Sequence, residues 1–226
     1  MEEMWVCHLG VVEYREALAL QERLRAARQA DELPDVLLTL EHQPVYTRGR
    51  RSRPGELPMA EAQGIEIVET DRGGLVTYHG PGQLVGYPIV RVSDVVEYVH
   101  TLEGALVRAL LDEGVVQARS RPREGHRYTG VWVEDRKIAS IGVHLSRGVS
   151  THGFAVNVEN DLQPFSWIVP CGLDGVQMTS LISETGRTPS VMKCFRRRAA
   201  YEVARGLGLR QRLVSLDRLE TRALVA

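Results

Sequence analysis

The stretch RGGLVTYHGPGQLVGYPIV, residues 72–90, interrupts strand-like sequence with five glycines and two prolines. Glycine permits backbone angles that a side chain forbids and lets the chain pass close to another surface. No Lys-Ser or Lys-Thr follows the glycines, and residues 84–90 are typical of a strand rather than a helix start, which argues against a phosphate-binding loop. The stretch therefore predicts a pocket wall, with a tight glycine-rich hairpin as the alternative.

The composition is that of an ordinary globular protein. Of 226 residues, 43% are hydrophobic and 25% are charged, which suffices for a large core without disulfides. A net charge of -1 gives no electrostatic reason to bind nucleic acid. The sequence has no apolar run of membrane-spanning length, and its acidic start, MEEMWVCHLG, lacks the basic character of a signal peptide. We expect a cytoplasmic monomer that binds neither nucleic acid nor membrane.

Strand and helix patterns are mixed along the chain, and no repeat or linker divides it. Strands are predicted at residues 5–9, 35–41, 65–69, 84–90 and 153–158, and a hairpin at 131–145 turns at 134–136. Helices are predicted at residues 11–33, at 94–113 with apolar positions 95, 99, 102, 106 and 110, and at 189–205 after Thr188. These patterns predict an α/β (α+β) fold, a single-domain mixed β-sheet with packed helices over residues 1–226.

Arginines concentrate in the segment HQPVYTRGRRSRP, residues 42–54, which is predicted to be a polar loop. Arg48, Arg50, Arg51 and Arg53 could bind an anionic group, and a solvated loop is the alternative. Only two of the 28 basic side chains are lysines, Lys137 and Lys193, so each deserves separate consideration.

Lys137 begins the second strand of the predicted hairpin. Strand alternation places it on the apolar face, with positions 139, 141 and 143, and places Ser140 and His144 on the opposite face. An ammonium group there loses hydration, so it either gives up its proton or finds an anionic partner such as a thiolate. The alternative is that its head reaches water at the strand end.

Three well-separated cysteines argue against a disulfide framework and a paired-cysteine zinc site. Cys7 shares a strand face with Trp5 and is predicted to be a small buried hydrophobe. Packing beside Phe195 likewise suffices to explain Cys194. Cys171 differs, because it lies between Pro170 and Gly172 in a short loop where a nearby cation could lower its pKa, and it is the first candidate for a nucleophile.

Three histidines, His79, His144 and His152, fall in three separate elements. No His-x-x-x-His or carboxylate spacing supports a metal site, and we predict none. His79 and His152 each precede glycine, which is compatible with lining a cavity.

Read together, the motifs resemble one family, the lipoyl(octanoyl) transferases, also called lipoate-protein ligase B. The resemblance spans most of the chain and rests on LEHQPVYTRGR (40–50), RGGLVTYHGPGQLVGYP (72–88), GVWVEDRKIASIGVH (130–144), THGFAVNVENDL (151–162), IVPCG (168–172) and MTSL (178–181). One departure is His144, where the family more often has arginine.

The resemblance implies a biotin/lipoate protein ligase-like fold and an acyltransferase without cofactor or ATP. It implies transfer of an octanoyl group from octanoyl-acyl carrier protein to a lysine of apo lipoyl domains, those of 2-oxoacid dehydrogenase complexes and of the glycine cleavage H protein. Cys171 would carry the acyl group as a thioester, and Lys137 would lower the thiol pKa and shuttle protons. The implied substrate contacts are Arg72, Gly73, Gly74, Leu75, Val76, Thr77, Tyr78, His79, Ser140, Ile141, Gly142, Gly153, Phe154 and Ala155.

Two alternatives stay open. The first is an ATP-dependent lipoate or biotin ligase, since TRGRR is similar to the arginine-glycine loop that closes over an adenylate. The second is a non-catalytic module that binds an acyl carrier without forming a covalent adduct. The run Arg196–Arg198 and the arginines of residues 48–51 are predicted contacts for acidic partner domains.

Overall fold

The computed structural model of the chain describes residues 2–52, 57, 59, 63–168, 176–187 and 190–223. Its strands are β1 (Glu3–Val12), β2 (Asp35–His42), β3 (Val45–Arg48), β4 (Glu66–Glu69), β5 (Thr77–His79), β6 (Gln83–Ile89), β7 (Ala118–Arg119), β8 (Gly130–Val133), β9 (Arg136–Ser146), β10 (Val149–Asn157), β11 (Gln177–Met178) and β12 (Arg210–Leu213). Its helices are α1 (Tyr14–Gln29), α2 (Val95–Asp112), α3 (Leu181–Thr185), α4 (Met192–Gly206) and α5 (Leu216–Ala223).

In the described part of the chain, most strands join one mixed sheet in the order β12-β1-β2-β6-β10-β9-β8-β7, with β11 beside β9. β1 is parallel to both of its neighbours, whereas the strands from β2 to β8 pair antiparallel. The Val and Leu run of β2 suits its inner place, because a strand covered on both faces needs apolar side chains at successive positions. The predicted mixed sheet is confirmed.

Helices cover both faces of this sheet. Leu37 and Leu84 belong to the core beneath α2 and α4, whereas their neighbours Leu38 and Val85 belong to the core beneath α1. Because successive side chains of a strand point to opposite faces, these two cores lie on opposite sides of the sheet. None of the helices within the described ranges has the length and apolar character needed to cross a membrane.

The start of α2 and most of its buried face follow the sequence prediction. The Asp94 carboxylate accepts hydrogen bonds from the N–H groups of Val96 and Glu97, as a helix cap does. Leu102, Leu106 and Leu110 are fully buried, as predicted. Val95, also predicted to face the core, is 42% exposed, and Tyr98 is the first buried residue of the helix instead.

Two other predictions from the sequence need correction. Helix α4 begins at Met192 rather than at residue 189; Thr188 and Pro189 lie outside the described residues. The predicted polar loop of residues 42–54 contains β3, which pairs with β4 and β5 in a second, three-stranded sheet. Tyr46 of β3 is fully buried against Tyr78, and this burial stabilises a strand here despite the arginines nearby.

A β-bulge in the hairpin decides where Lys137 points. Val131 pairs with Ala139 but Trp132 pairs with Lys137, so Ile138 is an extra residue in β9. Ile138 and Ala139 both join the core beneath α2 and α4, and Lys137 therefore lies on the opposite face, with Ser140. The prediction from simple alternation, which put Lys137 with Ala139, is wrong because a bulge shifts the alternation by one residue.

Candidate active site

A cavity of about 480 Å³ lies between β6, β9 and β10 of the large sheet and the glycine-rich stretch. Its lining consists of Tyr14, Arg51, residues 72–77, His79, Val85, Tyr87, Val99, His126, Arg127, Thr129, Lys137, residues 140–143 and residues 152–155. All the predicted substrate contacts except Tyr78 are in this lining. Tyr78 instead packs between Tyr46 and Phe165, with ring centroids 5.3 and 5.6 Å away. The glycine stretch thus forms a pocket wall, as predicted, rather than only a tight hairpin.

We call residues 72–76 the wall segment. Its shape is fixed by the buried Arg72 guanidinium, which donates to the carbonyl oxygens of Thr47 at 2.7 Å and of Leu75 at 2.6 Å. Glycine is required at two points of closest approach, since a Cβ on Gly49 would lie 2.5 Å from Gly74 O and one on Gly142 would lie 2.6 Å from Gly73 O. The glycines therefore bring two backbones together around the cavity.

Lys137 is buried in the cavity wall, with 2% of its surface exposed. Its Nζ lies 5.3 Å from the centroid of the Trp132 ring, within the range of a cation–π contact. The alternative in which its head reaches water is wrong, because the bulge turns the side chain inward. A buried amine of this kind can bind an anion or exchange a proton.

A buried carboxylate that the sequence analysis missed supports this lysine. Glu103 of α2 is 2% exposed, and its Oε1 accepts the Gly130 N–H at 2.8 Å. A Cβ on Gly130 would lie 2.8 Å from Lys137 Cε, so the lysine occupies the space that a side chain there would take. The available signal was an acidic residue directly after Leu102 on the apolar face of a predicted helix.

Neutral histidines stand around the cavity. Burial lowers the pKa of His79 to about 3, and its Nδ1 lies 2.7 Å from Gln83 Oε1. Burial also lowers the pKa of His42 to about 4. Because the Val12 carbonyl can only accept, His42 Nδ1 carries the hydrogen of their 2.8 Å contact, and the Tyr87 hydroxyl donates to His42 Nε2 at 2.6 Å. The sequence analysis did not single out His42, which it placed in the predicted polar loop but which is the last residue of β2.

His144 and His152 come together although they are on different strands. Both direct Nε2 at the carboxylate of Asp71, at 3.3 and 2.7 Å. The hydrogen bond from His152 lowers the pKa of Asp71 to about 2. Across the ranges that the structure describes, no group of three or more His, Cys, Asp or Glu side chains is arranged to hold a metal ion.

The three cysteines have different surroundings. Cys7 is 2% exposed, as predicted, and burial raises the pKa of its thiol to about 11. Cys194 is exposed on α4, so the prediction that packing explains it is wrong; the buried face of α4 passes through Phe195. Cys171 lies outside the described residues, and its role stays a prediction.

The arginines of the two predicted clusters differ in their contacts and exposure. Arg48 forms an ion pair with Glu69 at 2.9 Å, whereas Arg51 lines the cavity and Arg53 lies outside the described residues. On α4, Arg196 donates to the Leu9 carbonyl at 2.6 Å and Arg198 pairs with Asp112 at 3.3 Å. Arg50 and Arg197 are exposed.

A buried amine in the wall of a half-open cavity on a mixed sheet is the setting of an enzyme rather than of a scaffold protein. The model of the lipoyl protein ligase A/B catalytic domain matches residues 13–201, and the chain belongs to that family. It is 48% identical over 195 residues to an octanoyltransferase of Mycobacterium leprae, covering 82% of this chain and 80% of the relative. It is 49% identical over 187 residues to an octanoyltransferase of Acidothermus cellulolyticus, covering 81% and 83%. The predicted acyltransferase class is confirmed.

Solved structures show the same fold. A lipoate-protein ligase A bound with ATP superimposes with a TM-score of 0.78 at 20% identity, over 100% of this chain and 94% of that one. The biotin protein ligase of Aquifex aeolicus superimposes with a TM-score of 0.52 at 13% identity, over 92% and 70%. The biotin/lipoate ligase-like fold predicted from the sequence is confirmed.

Proposed function

We propose that this protein transfers an octanoyl or lipoyl group from an acyl carrier protein to a lysine of an apo lipoyl domain, through a thioester on Cys171. The observation that carries the proposal is the buried Lys137 amine in the wall of the cavity, where the lining on β6 and β10 is apolar at Val85, Phe154 and Ala155. The identity of the acyl group is inferred from the relatives, which are octanoyltransferases.

The first half-reaction is attack on the carrier thioester. The Cys171 thiolate, stabilised by a protonated Lys137, adds to the carbonyl carbon, and N–H groups of the glycine stretch stabilise the oxyanion. The C–S bond to the carrier then breaks, and the carrier thiolate takes up the proton that Lys137 releases. The octanoyl group remains on Cys171, and Lys137 is neutral.

The second half-reaction passes the acyl group to the acceptor. The acceptor lysine amine adds to the enzyme thioester, Lys137 accepts the proton that the new amide nitrogen loses, and the Cys171 thiolate leaves. Atoms and charge return to the starting state. Because thiol and amine exchange one proton, any measured pKa values belong to the pair.

Sequence continuity supports the pairing of these two residues. The chain after Cys171 enters β11, where Met178 pairs with Lys137 and the Thr179 N–H donates to the Lys137 carbonyl at 3.0 Å. Met178 is seven positions after Cys171, so the two residues lie within about 25 Å of each other even along a fully extended chain. This distance is compatible with contact between the Cys171 thiol and the Lys137 amine.

Intact-mass analysis tests the proposal. After mixing with octanoyl carrier protein, the wild-type chain should gain one octanoyl group on Cys171, and an apo lipoyl domain should then remove it. Cys171→Ser should abolish transfer, and Cys194→Ser should leave it unchanged. Substantial turnover by Cys171→Ser contradicts the assignment. Absence of any covalent adduct favours the carrier-binding alternative, and a requirement for ATP favours the ligase alternative.

We propose that both protein substrates approach the cavity on the side of Arg50 and Arg51. We also propose that the reaction takes place in the cytoplasm. Arg51 lines the cavity with Arg127, which places positive charge beside the opening. Acidic partner domains would be steered by this charge, and steering weakens with salt. Reversal of Arg50 and Arg51 to glutamate should lower the salt dependence of transfer, and Arg197→Glu tests the predicted contact on α4 in the same way. If neither changes it, both clusters are solvated surface.

A further inference from the structure

Asp71 connects the wall segment to two strands through one carboxylate. It directly precedes the segment, and its Oδ1 is 2.7 Å from His152 Nε2 while its Oδ2 is 3.3 Å from His144 Nε2. His152 is on β10 and His144 is on β9, on adjacent paired strands. Both oxygens of one side chain are thus used to attach the wall segment to the sheet.

The two histidines contact the carboxylate in different ways. A carboxylate only accepts hydrogen bonds, so His152 Nε2 carries the hydrogen of its 2.7 Å contact, whereas His144 Nε2 makes a 3.3 Å polar contact with the other oxygen. Neither Nδ1 atom has a hydrogen-bond partner among the described residues. The attachment therefore consists of one hydrogen bond and one polar contact to the same carboxylate. Arg72 is the other charged group that faces His152.

His152 adopts a backbone conformation that needs outside support. Its φ of 56° lies in the left-handed region, where a residue with a side chain is strained. The Gln21 side chain accepts the His152 N–H at 2.7 Å, and the ring is held by Asp71. Strain of this kind persists where the surrounding structure requires one orientation of a side chain.

The wall segment packs closely against β9 at Gly73, two residues after Asp71. The Gly73 N–H donates to the Val143 carbonyl at 2.9 Å, on the outer edge of β9. A Cβ on Gly142 would lie 2.6 Å from Gly73 O, so the segment and β9 are at closest approach there. A shift of the wall segment away from β9 would open the cavity along its length.

We propose that Asp71 is a positioning residue that, with His144 and His152 as its partners, holds the wall segment against β9 and thereby sets how tightly the cavity encloses the acyl chain. The proposal rests on the proposed acyl transfer. It assigns to Asp71, His144 and His152 an effect on acyl-substrate affinity and chain-length discrimination, and none on the chemistry of Lys137.

The test compares replacements of His144, which is less buried than His152. His144→Leu removes the contact with Asp71 Oδ2 and should raise KM for octanoyl carrier protein about two- to fivefold, the factor for a partly exposed polar contact. Discrimination between octanoyl and decanoyl carriers should fall, while kcat changes less than about twofold. His144→Arg should restore wild-type values, because a guanidinium donates to a carboxylate. Failure of arginine to restore them, or an equal loss in kcat, overturns the proposal.

Asp71→Asn provides a second variant, with Glu69→Gln as its control because it removes a carboxylate two residues away on an exposed side chain. Asp71→Asn should reproduce the effect of His144→Leu, and Glu69→Gln should match wild type. Unchanged KM and unchanged chain-length discrimination in Asp71→Asn overturn the proposal.

Ring 15N NMR tests the same contacts without turnover. His152 should show the Nε2–H tautomer in the wild-type chain and should change in Asp71→Asn; an Nδ1–H tautomer of His152 in wild type overturns the proposal. A wild-type chain that shows these ring signals and forms no acyl adduct indicates failure of the proposed function instead.

Discussion

The Cε atom of Lys137 lies 2.8 Å from the position that a Cβ on Gly130 would take, so the lysine side chain leaves no room for a side chain at residue 130. Gly130 has a φ of 131°, and its N–H is fixed by Glu103 at 2.8 Å. The position of the buried amine thus depends on an absent side chain, on a bulge at Ile138 and on a carboxylate from another element. Each of these can be altered separately.

Gly130→Ala should displace Lys137. The added methyl group would meet Lys137 Cε and collide with the Ala139 carbonyl, and the positive φ adds strain of about 1–3 kcal/mol. We expect transfer activity to fall at least about tenfold, measured as octanoylated lipoyl domain by mass spectrometry. Gly125→Ala is the matched control, because Gly125 has a φ of 91° but nothing within 4 Å of its Cβ position. Equal activity in the two variants contradicts the prediction.

Lys137→Met should separate catalysis from stability. Methionine fills a similar volume without an amine, so we expect the fold to be retained, measured by circular dichroism. Transfer should fall about 10²–10⁴-fold, the usual contribution of a positioned acid or base. Lys193→Met, which alters an exposed lysine of α4, should retain wild-type activity. Substantial transfer by Lys137→Met argues against its role.

Ala155→Leu should shorten the cavity. Ala155 is 5% exposed, lines the cavity on β10 and pairs with Val85 of β6. A larger side chain there should shift the acyl preference from octanoyl toward shorter chains, measured as relative kcat/KM for hexanoyl and octanoyl carriers. Ala26→Leu adds the same side chain to the exposed side of α1 and should change nothing. An unchanged preference in Ala155→Leu means that the acyl chain does not reach β10.

Buried neutral histidines predict lower stability in mild acid. The folded-state pKa values are about 4 for His42 and about 3 for His79, against an ordinary value of 6.5. Below pH 6.5 the unfolded chain binds protons that the folded chain does not, so stability falls as pH decreases toward 4. Each histidine should contribute a slope of up to about 1.4 kcal/mol per pH unit. Urea unfolding at pH 7.5, 6.5 and 5.5 measures this, and a flat profile contradicts it.

The sequence by itself determined the family, the mixed sheet and the pocket wall. Glycines at 73, 74 and 86 and the apolar run of β2 act through local backbone freedom and burial, which residue types report directly. For the same reason it identified Lys137 as unusual and Cys7 as buried, because a rare lysine in strand sequence and a cysteine on an apolar face are visible without contacts.

Only the tertiary structure decided which face Lys137 takes and which polar groups meet. The bulge at Ile138 depends on the pairing of β8 with β9, and strand alternation cannot anticipate an extra residue. The join of Asp71 to His144 and His152 spans more than 70 residues of sequence, and Glu103 reaches Gly130 from a helix. Such contacts follow from how separate elements pack, so no local pattern encodes them.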